Sequence, residues 1–248
     1  LSVAENTTAV TTVTASDADL PAQTLSFALS GADAARFAIN AAGALSFAPA
    51  ADFEAPSDVG ADNVYDVVVT VSDGTLSDSQ ALTISVTDGN DNEQLIATNT
   101  GATLGEGALD SVITSALLAT TDADTPAAEL VYTLSALPSH GTLSLSGSTL
   151  GLNATFTQAD IDAGALRYSH DGSESSADSF SFSVNDGSGS ASSGTFAISI
   201  TPVNDQAPVI TSNSGGAAAA LSVAENTTAV TSVSASDADL PAQTLSFA

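Results

Sequence analysis

The residues best suited to chemistry in this sequence are acids and amides crowded at the ends of apolar runs. VTDGNDNEQ, residues 86–94, sets Asp88, Asn90, Asp91 and Asn92 almost side by side. Further acidic motifs recur along the chain: AEN at 4–6, SDAD at 16–19, DFE at 52–54, SDG at 72–74 and TTDAD at 120–124. No lysine lies nearby to neutralise them. The protein has 29 acidic side chains, and its only basic ones are Arg36 and Arg167, for a formal net charge of −27. Side-chain oxygens gathered in this way suit a hard divalent cation. Calcium takes six to eight oxygen ligands from carboxylates, amide carbonyls, backbone and water at about 2.3–2.6 Å. No single loop here supplies that many, so several loops must converge.

Other chemistries are poorly served. Nucleic acid and anionic membranes call for a basic face, which two arginines cannot make. Without cysteine there is no disulfide framework, thiolate metal site or thiol redox chemistry. His140 and His170 are the only histidines, and both fall in turn-like stretches. Neighbouring His170 and Asp171 would point to opposite faces of a strand, poor geometry for a Ser–His–Asp arrangement. No GxSxG elbow, HExxH site or phosphate-binding glycine loop occurs. Asp160 and Asp162 fall in a short predicted helical turn, where carboxylates are ordinarily solvated. Asn6, Asn153 and Asn226 open Asn-x-Thr triplets, a pattern frequent by chance in threonine-rich chains.

The elements that position the acids are strands. Phe180, Phe182 and Val184 alternate with serines, and Phe196, Ile198 and Ile200 with small or polar residues. Leu82, Ile84 and Val86 alternate in the same way, as do Tyr65, Val67, Val69 and Val71. Period-two alternation predicts strands with one buried face. Turn signals separate them at 72–74, 170–172 and 185–187. One short helix is predicted over 157–163, stopped by Gly164. Hydrophobic residues make up 43% and aromatics 5%, which suits several thin cores. The whole predicts an all-β chain of tandem sandwiches of roughly 100 residues each.

An internal repeat sets the organisation. Residues 1–28 and 221–248 are identical except at Thr12/Ser232 and Thr14/Ser234, an offset of 221 − 1 = 220. Near-identity at that spacing implies recent tandem duplication. The expected sandwiches are 1–92, 93–205 and a partial third at 206–248. SNSGGAAAA at 212–220 reads as a flexible linker or a strand connection. The chain begins mid-pattern, so the first sandwich is expected to lack its opening strand and the third most of its body. Unpaired edges would follow.

The motifs AEN, SDAD, DFE, VSDG and DGNDN, in that order, resemble a cadherin repeat over nearly all of residues 1–92. The second stretch, through TTDAD, LPSHGTLSLSG, FTQADIDAGALRYSHDGSES, DSFSFSVNDG and TPVNDQAP, resembles the cadherin-related repeat of chondroitin-sulfate-proteoglycan-type arrays and large bacterial surface proteins. The resemblance implies Greek-key sandwiches placed end to end with Ca²⁺ at each junction. It assigns to the first junction Glu5, Asp52, Glu54, Asp88, Asn90, Asp91 and Asn92, met by Asp122, Asp124 and Asp186. It assigns to the second Glu106, Asp171, Asn204 and Asp205, met by Asp237 and Asp239; Glu174 lies close by without a fixed place in the pattern. Asp17, Asp19 and Asp73 would face a preceding domain. Two departures stand out. Glu93 and Gln94 follow where the family carries proline, and Pro202 and Gln206 replace an Asp and an Asn at the second junction, where fewer ions or weaker binding is expected. The implied function is a non-enzymatic spacer in an extracellular bacterial adhesin or surface fibre, its partners being neighbouring repeats. The alternative is a filament or matrix cable completed by strands from identical chains. A carbohydrate-binding module is disfavoured by the scarcity of aromatics.

Overall fold

Alternating side chains need two apolar faces to meet, and the structure, a computed structural model describing residues 1–247, pairs them in sandwiches. The chain divides into a unit at Leu1–Asn92 and a second from Glu93 onwards. The first unit holds β1 Ser2–Ala4, β2 Ala9–Thr12, β3 Ser26–Ser30, β4 Phe37–Ile39, β5 Ala44–Phe47, β6 Val64–Ser72 and β7 Ser77–Thr87. One sheet runs β1-β7-β6-β3 and the other β2-β5-β4, so the chain crosses repeatedly between layers. β1 is parallel to β7, with Val3 opposite Val86. Tyr65, Val67 and Val69 point inward from β6 and are at most 2% exposed. Tyr65 meets Phe47 edge-on at 5.1 Å, and Phe47 stacks on Phe37 at 4.7 Å.

The second unit begins with β8 Leu95–Asn99, β9 Ala102–Gly105, β10 Ser111–Val112, β11 Leu118–Thr121, β12 Val131–Ala136 and β13 Gly141–Leu145. It continues with β14 Ser148–Thr149, β15 Thr155–Thr157, α1 Gln158–Asp162, β16 Leu166–His170, β17 Ala177–Asn185 and β18 Ser192–Thr201. Its main sheet runs β15-β12-β17-β18-β9, facing β10-β16-β13-β14, while β8 pairs with β11. Phe180 stands opposite Phe196 in the register and stacks on it at 5.1 Å. Gly101 lets the chain pass from β8, paired with β11, to β9, paired with β18. Its φ is +74°, and a Cβ there would fall 2.5 Å from the Ala197 carbonyl oxygen. The expected helix forms over Gln158–Asp162. Asp160 is spent on its capping box with Thr157, and Gly164 ends the turn at φ +67°. Asn6, Asn153 and Asn226 sit at positive φ, a conformation asparagine tolerates in turns.

Residues 206–247 add a two-stranded pair, β19 Val209–Ile210 and β20 Ala235–Ser236. The small-residue stretch forms a 3₁₀ turn at Asn213–Gly215, with no strand assigned between it and β20.

Buried polar groups tie the layers together. Asp178, 8% exposed, accepts the Ser139, His140 and Ser179 N–H groups and the Tyr168 hydroxyl. Gln158 Oε1 accepts from the Thr120 N–H and the Tyr132 hydroxyl, both at 2.8 Å. Burial pushes the Tyr132 phenol up to about 12.

Candidate metal centres

Strand length separates the acids into two poles in the first unit. The nine-residue β6 spans roughly 30 Å at about 3.3 Å per residue. Asp73 follows its far end, whereas Asp88 follows the opposite end of its neighbour β7.

At the Asp88 end, Glu5 leaves β1 and is only 6% exposed. Its carboxylate is fixed by two backbone donors, the Phe53 N–H at 2.8 Å and the Gly89 N–H at 2.7 Å. These bonds draw the 52–54 and 88–92 loops around it. Ligand oxygens of Glu5, Asp52 and Glu54 lie within 4.8 Å of one another, and Glu54 is as close to Asp88. Asp91 accepts from the Asn6 and Asn92 side-chain amides. Asn90 follows in the same loop. This pole is an oxygen-rich cup in which Asp52, Glu54, Asp88 and Asp91 are exposed to solvent.

At the far end, Asp17, Asp19 and Asp73 also approach within 4.8 Å. The Thr75 and Leu76 N–H groups both donate to Asp73 Oδ1, and those of Leu76 and Thr75 hold its carboxyl below the usual aspartate value.

The second unit repeats the plan. Asp122 Oδ1 accepts the Asp124 and Thr125 N–H groups, both at 3.0 Å, in the same turn by which Asp17 holds Asp19. Asp122 Oδ2 is buried without a hydrogen-bond partner among the described residues. Asp186, 4% exposed, closes its own turn by accepting the Ser188 N–H.

At the other end, Glu106, Glu174 and Asp205 bring carboxylate oxygens within 4.8 Å. Glu106 Oε2 accepts the Val203 N–H, and Glu174 Oε2 the Leu240 N–H, both at 3.0 Å. The second oxygen of each glutamate is buried and has no hydrogen-bond partner among the described residues. Burial raises the Glu174 pKa above the ordinary glutamate value. The charges of Glu106, Asp239 and Asp205 push it further up, and the Leu240 bond holds it back. Asp239 is 1% exposed; it accepts the Gln206 N–H and donates its own to Asp237. Asn204 donates to Gln243.

Glu174 therefore belongs to this group, although its GSES context carries no periodic or turn signal that fixes a place for it. Asp171 is not brought into the group. It caps a turn through the Ser173 N–H, and the Ser173 bonds hold its pKa low.

The histidines hold turns. His170 Nδ1 accepts the Gly107 and Gly172 N–H groups, leaving Nε2–H to face Ser175 Oγ at 2.9 Å. A triad base instead directs its Nδ1–H at a carboxylate. His140 Nδ1 pairs with Ser173 Oγ at 3.0 Å.

The paired sheets, the parallel first strand and the acid-tipped strand ends carry into comparison with known proteins. The cadherin-like family model matches residues 95–200. These residues form a cadherin-like domain. Human FRAS1-related extracellular matrix protein 1 is 41% identical over 86 residues, 35% of this chain and 4% of that protein. Human chondroitin sulfate proteoglycan 4 is 34% identical over 117 residues, 46% of this chain and 5% of that protein. The chain thus corresponds to a small fraction of these relatives' length. Among solved structures, the protocadherin gamma-B4 extracellular domain superposes with a TM-score of 0.62 and 26% identity, over 97% of this chain and 36% of that one. The cadherin-like sandwiches follow one another in tandem along the sequence. No helix among the described residues is long and apolar enough to cross a membrane.

Proposed function

We propose that this chain is a structural spacer segment of an extracellular adhesion or matrix protein, in which calcium at the acidic poles braces consecutive cadherin-like sandwiches. Extracellular placement accords with relatives whose names are those of matrix proteins and a proteoglycan. An extender segment of a bacterial surface adhesin fits the near-identical tandem repeat and the absence of cysteine.

One observation carries the metal reading. Glu106 and Glu174 each carry a buried oxygen with no hydrogen-bond partner among the described residues, and both belong to a group that also contains Asp205. Buried carboxylate oxygens without protons or partners are costly, and a hard divalent cation is the counter-charge that an all-oxygen set selects. Glu106, Glu174 and Asp205 would hold it, with Asp239 beside them. In the first unit the corresponding residues are Glu5, Asp52, Glu54 and Asp88, and in the second unit Asp122, Asp124 and Asp186 are the further acids that would serve as ligands. Bound calcium would neutralise charge and cross-link loops that otherwise repel. Extracellular calcium modules bind at about 10⁻⁴–10⁻³ M. At a few millimolar calcium each site would then contribute on the order of 1–2 kcal/mol to the ordered state.

The functional consequence is stiffness. Small-angle scattering is expected to give a longer, narrower distance distribution in millimolar calcium than in chelator, with magnesium far less effective. Superimposable profiles would remove the bracing role.

A further inference from the structure

One imidazole lies behind both glutamates of the Glu106, Glu174 and Asp205 group. His170 ends β16 and is 2% exposed. Its Nδ1 accepts the N–H groups of Gly107, the residue after Glu106, and of Gly172, both at 3.1 Å. Its Nε2–H donates at 2.9 Å to the hydroxyl of Ser175, the residue after Glu174. The two turns that carry the glutamates therefore meet on a single ring, although Glu106 and Glu174 stand 174 − 106 = 68 positions apart. From each glutamate the path continues outwards. Glu106 Oε2 accepts the Val203 N–H, two residues before Asp205, and Glu174 Oε2 accepts the Leu240 N–H, next to Asp239. Covalent and hydrogen bonds thus run unbroken from 203 to 240 through His170. At each glutamate they use one oxygen and leave the other buried without a donor among the described residues.

We propose, resting on the cation reading above, that His170 is the positioning residue of this carboxylate group: it fixes the separation of Glu106 and Glu174 at which their second oxygens share one divalent cation. Carboxylates held this close repel, and the Glu106 charge already disfavours ionised Glu174. Something must keep the two turns together before the ion arrives. The ring does so without supplying a counter-charge. Its Nδ1 accepts two hydrogen bonds, so it carries no proton and the imidazole is neutral. A lysine or arginine in its place would draw the turns together but would itself neutralise the acids.

The first unit shows why the ring is needed only here. Residues 1–92 contain no histidine. There Glu5 alone takes the Phe53 and Gly89 N–H groups, one on each oxygen. Dividing that task between two glutamates frees an oxygen on each, and it creates the need for a part that joins them.

The test uses the full chain and two readouts. His170→Phe keeps a ring but removes all three side-chain bonds; Gly107 and Gly172 are exposed, so water can take their N–H groups. In chelator this variant should speed hydrogen exchange at Gly107 and Gly172 and also at Val203 and Leu240, which the ring does not touch. His170→Asn should restore most of that protection, because its Oδ1 branches from the same carbon as Nδ1 and can accept the same two N–H groups. Ser175→Ala, which removes only the Nε2–H acceptor, should speed Leu240 and spare Val203, and it is read even if His170→Phe fails to fold. In calorimetric calcium titration His170→Phe should bind the ions of this group about tenfold more weakly, the scale of losing an outer partner of a metal ligand, with other ions unaffected. In the Glu106→Gln/Glu174→Gln background it should cost no further affinity. Faster exchange confined to Gly107 and Gly172 would make His170 a local turn residue and overturn the positioning role. So would parent-like calcium affinity in His170→Phe, or an equal loss in the doubly substituted background. A parent that takes up no calcium would instead remove the cation reading, and this proposal with it.

Discussion

Asp178→Ala is expected to lower the stability of the second sandwich by about 3 kcal/mol, because it orphans buried donors rather than removing one contact. The carboxylate sits where the loop before β13 meets β16 and β17. Oδ1 accepts from the Ser139 N–H at 2.9 Å and the Ser179 N–H at 2.8 Å, and Oδ2 from the His140 N–H at 3.1 Å and the Tyr168 hydroxyl at 2.8 Å. Each buried donor left unpaired costs about 1–3 kcal/mol, moderated by whatever water the vacated space admits. A loss near 3 kcal/mol would shift the unfolding midpoint of a domain this size by roughly 15 °C. Asp178→Asn should cost less, since its carbonyl keeps the Oδ1 donors and the Tyr168 hydroxyl can turn to accept from the new amide; only the His140 N–H then faces another donor. The pH dependence follows from the same bonds. Burial alone would raise the Asp178 pKa, but the Ser139, Tyr168, Ser179 and His140 bonds outweigh it and hold it below the ordinary value. A depressed folded pKa stabilises above the unfolded value of about 3.9, and that contribution is lost as pH falls through the folded pKa. Denaturant melts between pH 3 and 7 should therefore show an acid limb that Asp178→Ala flattens. An alanine variant within about 0.5 kcal/mol of the parent would contradict this account of the layer junction.

Glu174→Gln should change sign with calcium. Without the cation, burial and the charges of Glu106, Asp239 and Asp205 disfavour the Glu174 carboxylate. Its raised folded pKa makes stability greatest below the ordinary glutamate range and erodes it as pH rises through the folded value. Glutamine keeps an oxygen for the Leu240 N–H and removes the charge. In chelator at neutral pH the variant should therefore melt above the parent. In millimolar calcium it should melt below it, having lost roughly tenfold or more in affinity at that site, because ligand charge sets affinity in such modules. A variant that melts above the parent in both buffers would mark Glu174 as a strained but metal-free carboxylate.

The sandwich was legible because β-structure writes itself as alternation. Phe180, Phe182, Phe196 and Ile198 predicted their own inward faces and all are buried. The acid motifs were equally legible, since each follows a strand and DAD or NDN marks where a strand ends. Three things were not. The parallel pairing of β1 with β7, and of β9 with β18, joins segments more than 80 residues apart and leaves no local trace. Asp33 and Asp178 look like any loop aspartate, yet Asp33 takes the Val59 and Asp66 N–H groups in the interior. Whether an acid serves backbone donors or a cation depends on which loop reaches it, as Asp171 and Glu174 illustrate. They stand three residues apart: one closes its own turn, and the other is drawn to Glu106 and Asp205.

The two poles of each sandwich give the account its logic. Backbone N–H groups hold both oxygens of Glu5 and one oxygen each of Glu106 and Glu174 in place, so the loops are positioned before any ion arrives and ordering costs on binding are small. What remains is an excess of negative charge at fixed places. Calorimetric titration of the chain with calcium, in parallel with its Glu106→Gln/Glu174→Gln variant, tests this most directly. The account predicts saturable binding by more than one ion in the 10⁻⁴–10⁻³ M range, with the double variant losing the ions held by that group and keeping the rest. The absence of saturable binding up to 10 mM, or an isotherm the double variant leaves unchanged, would contradict it.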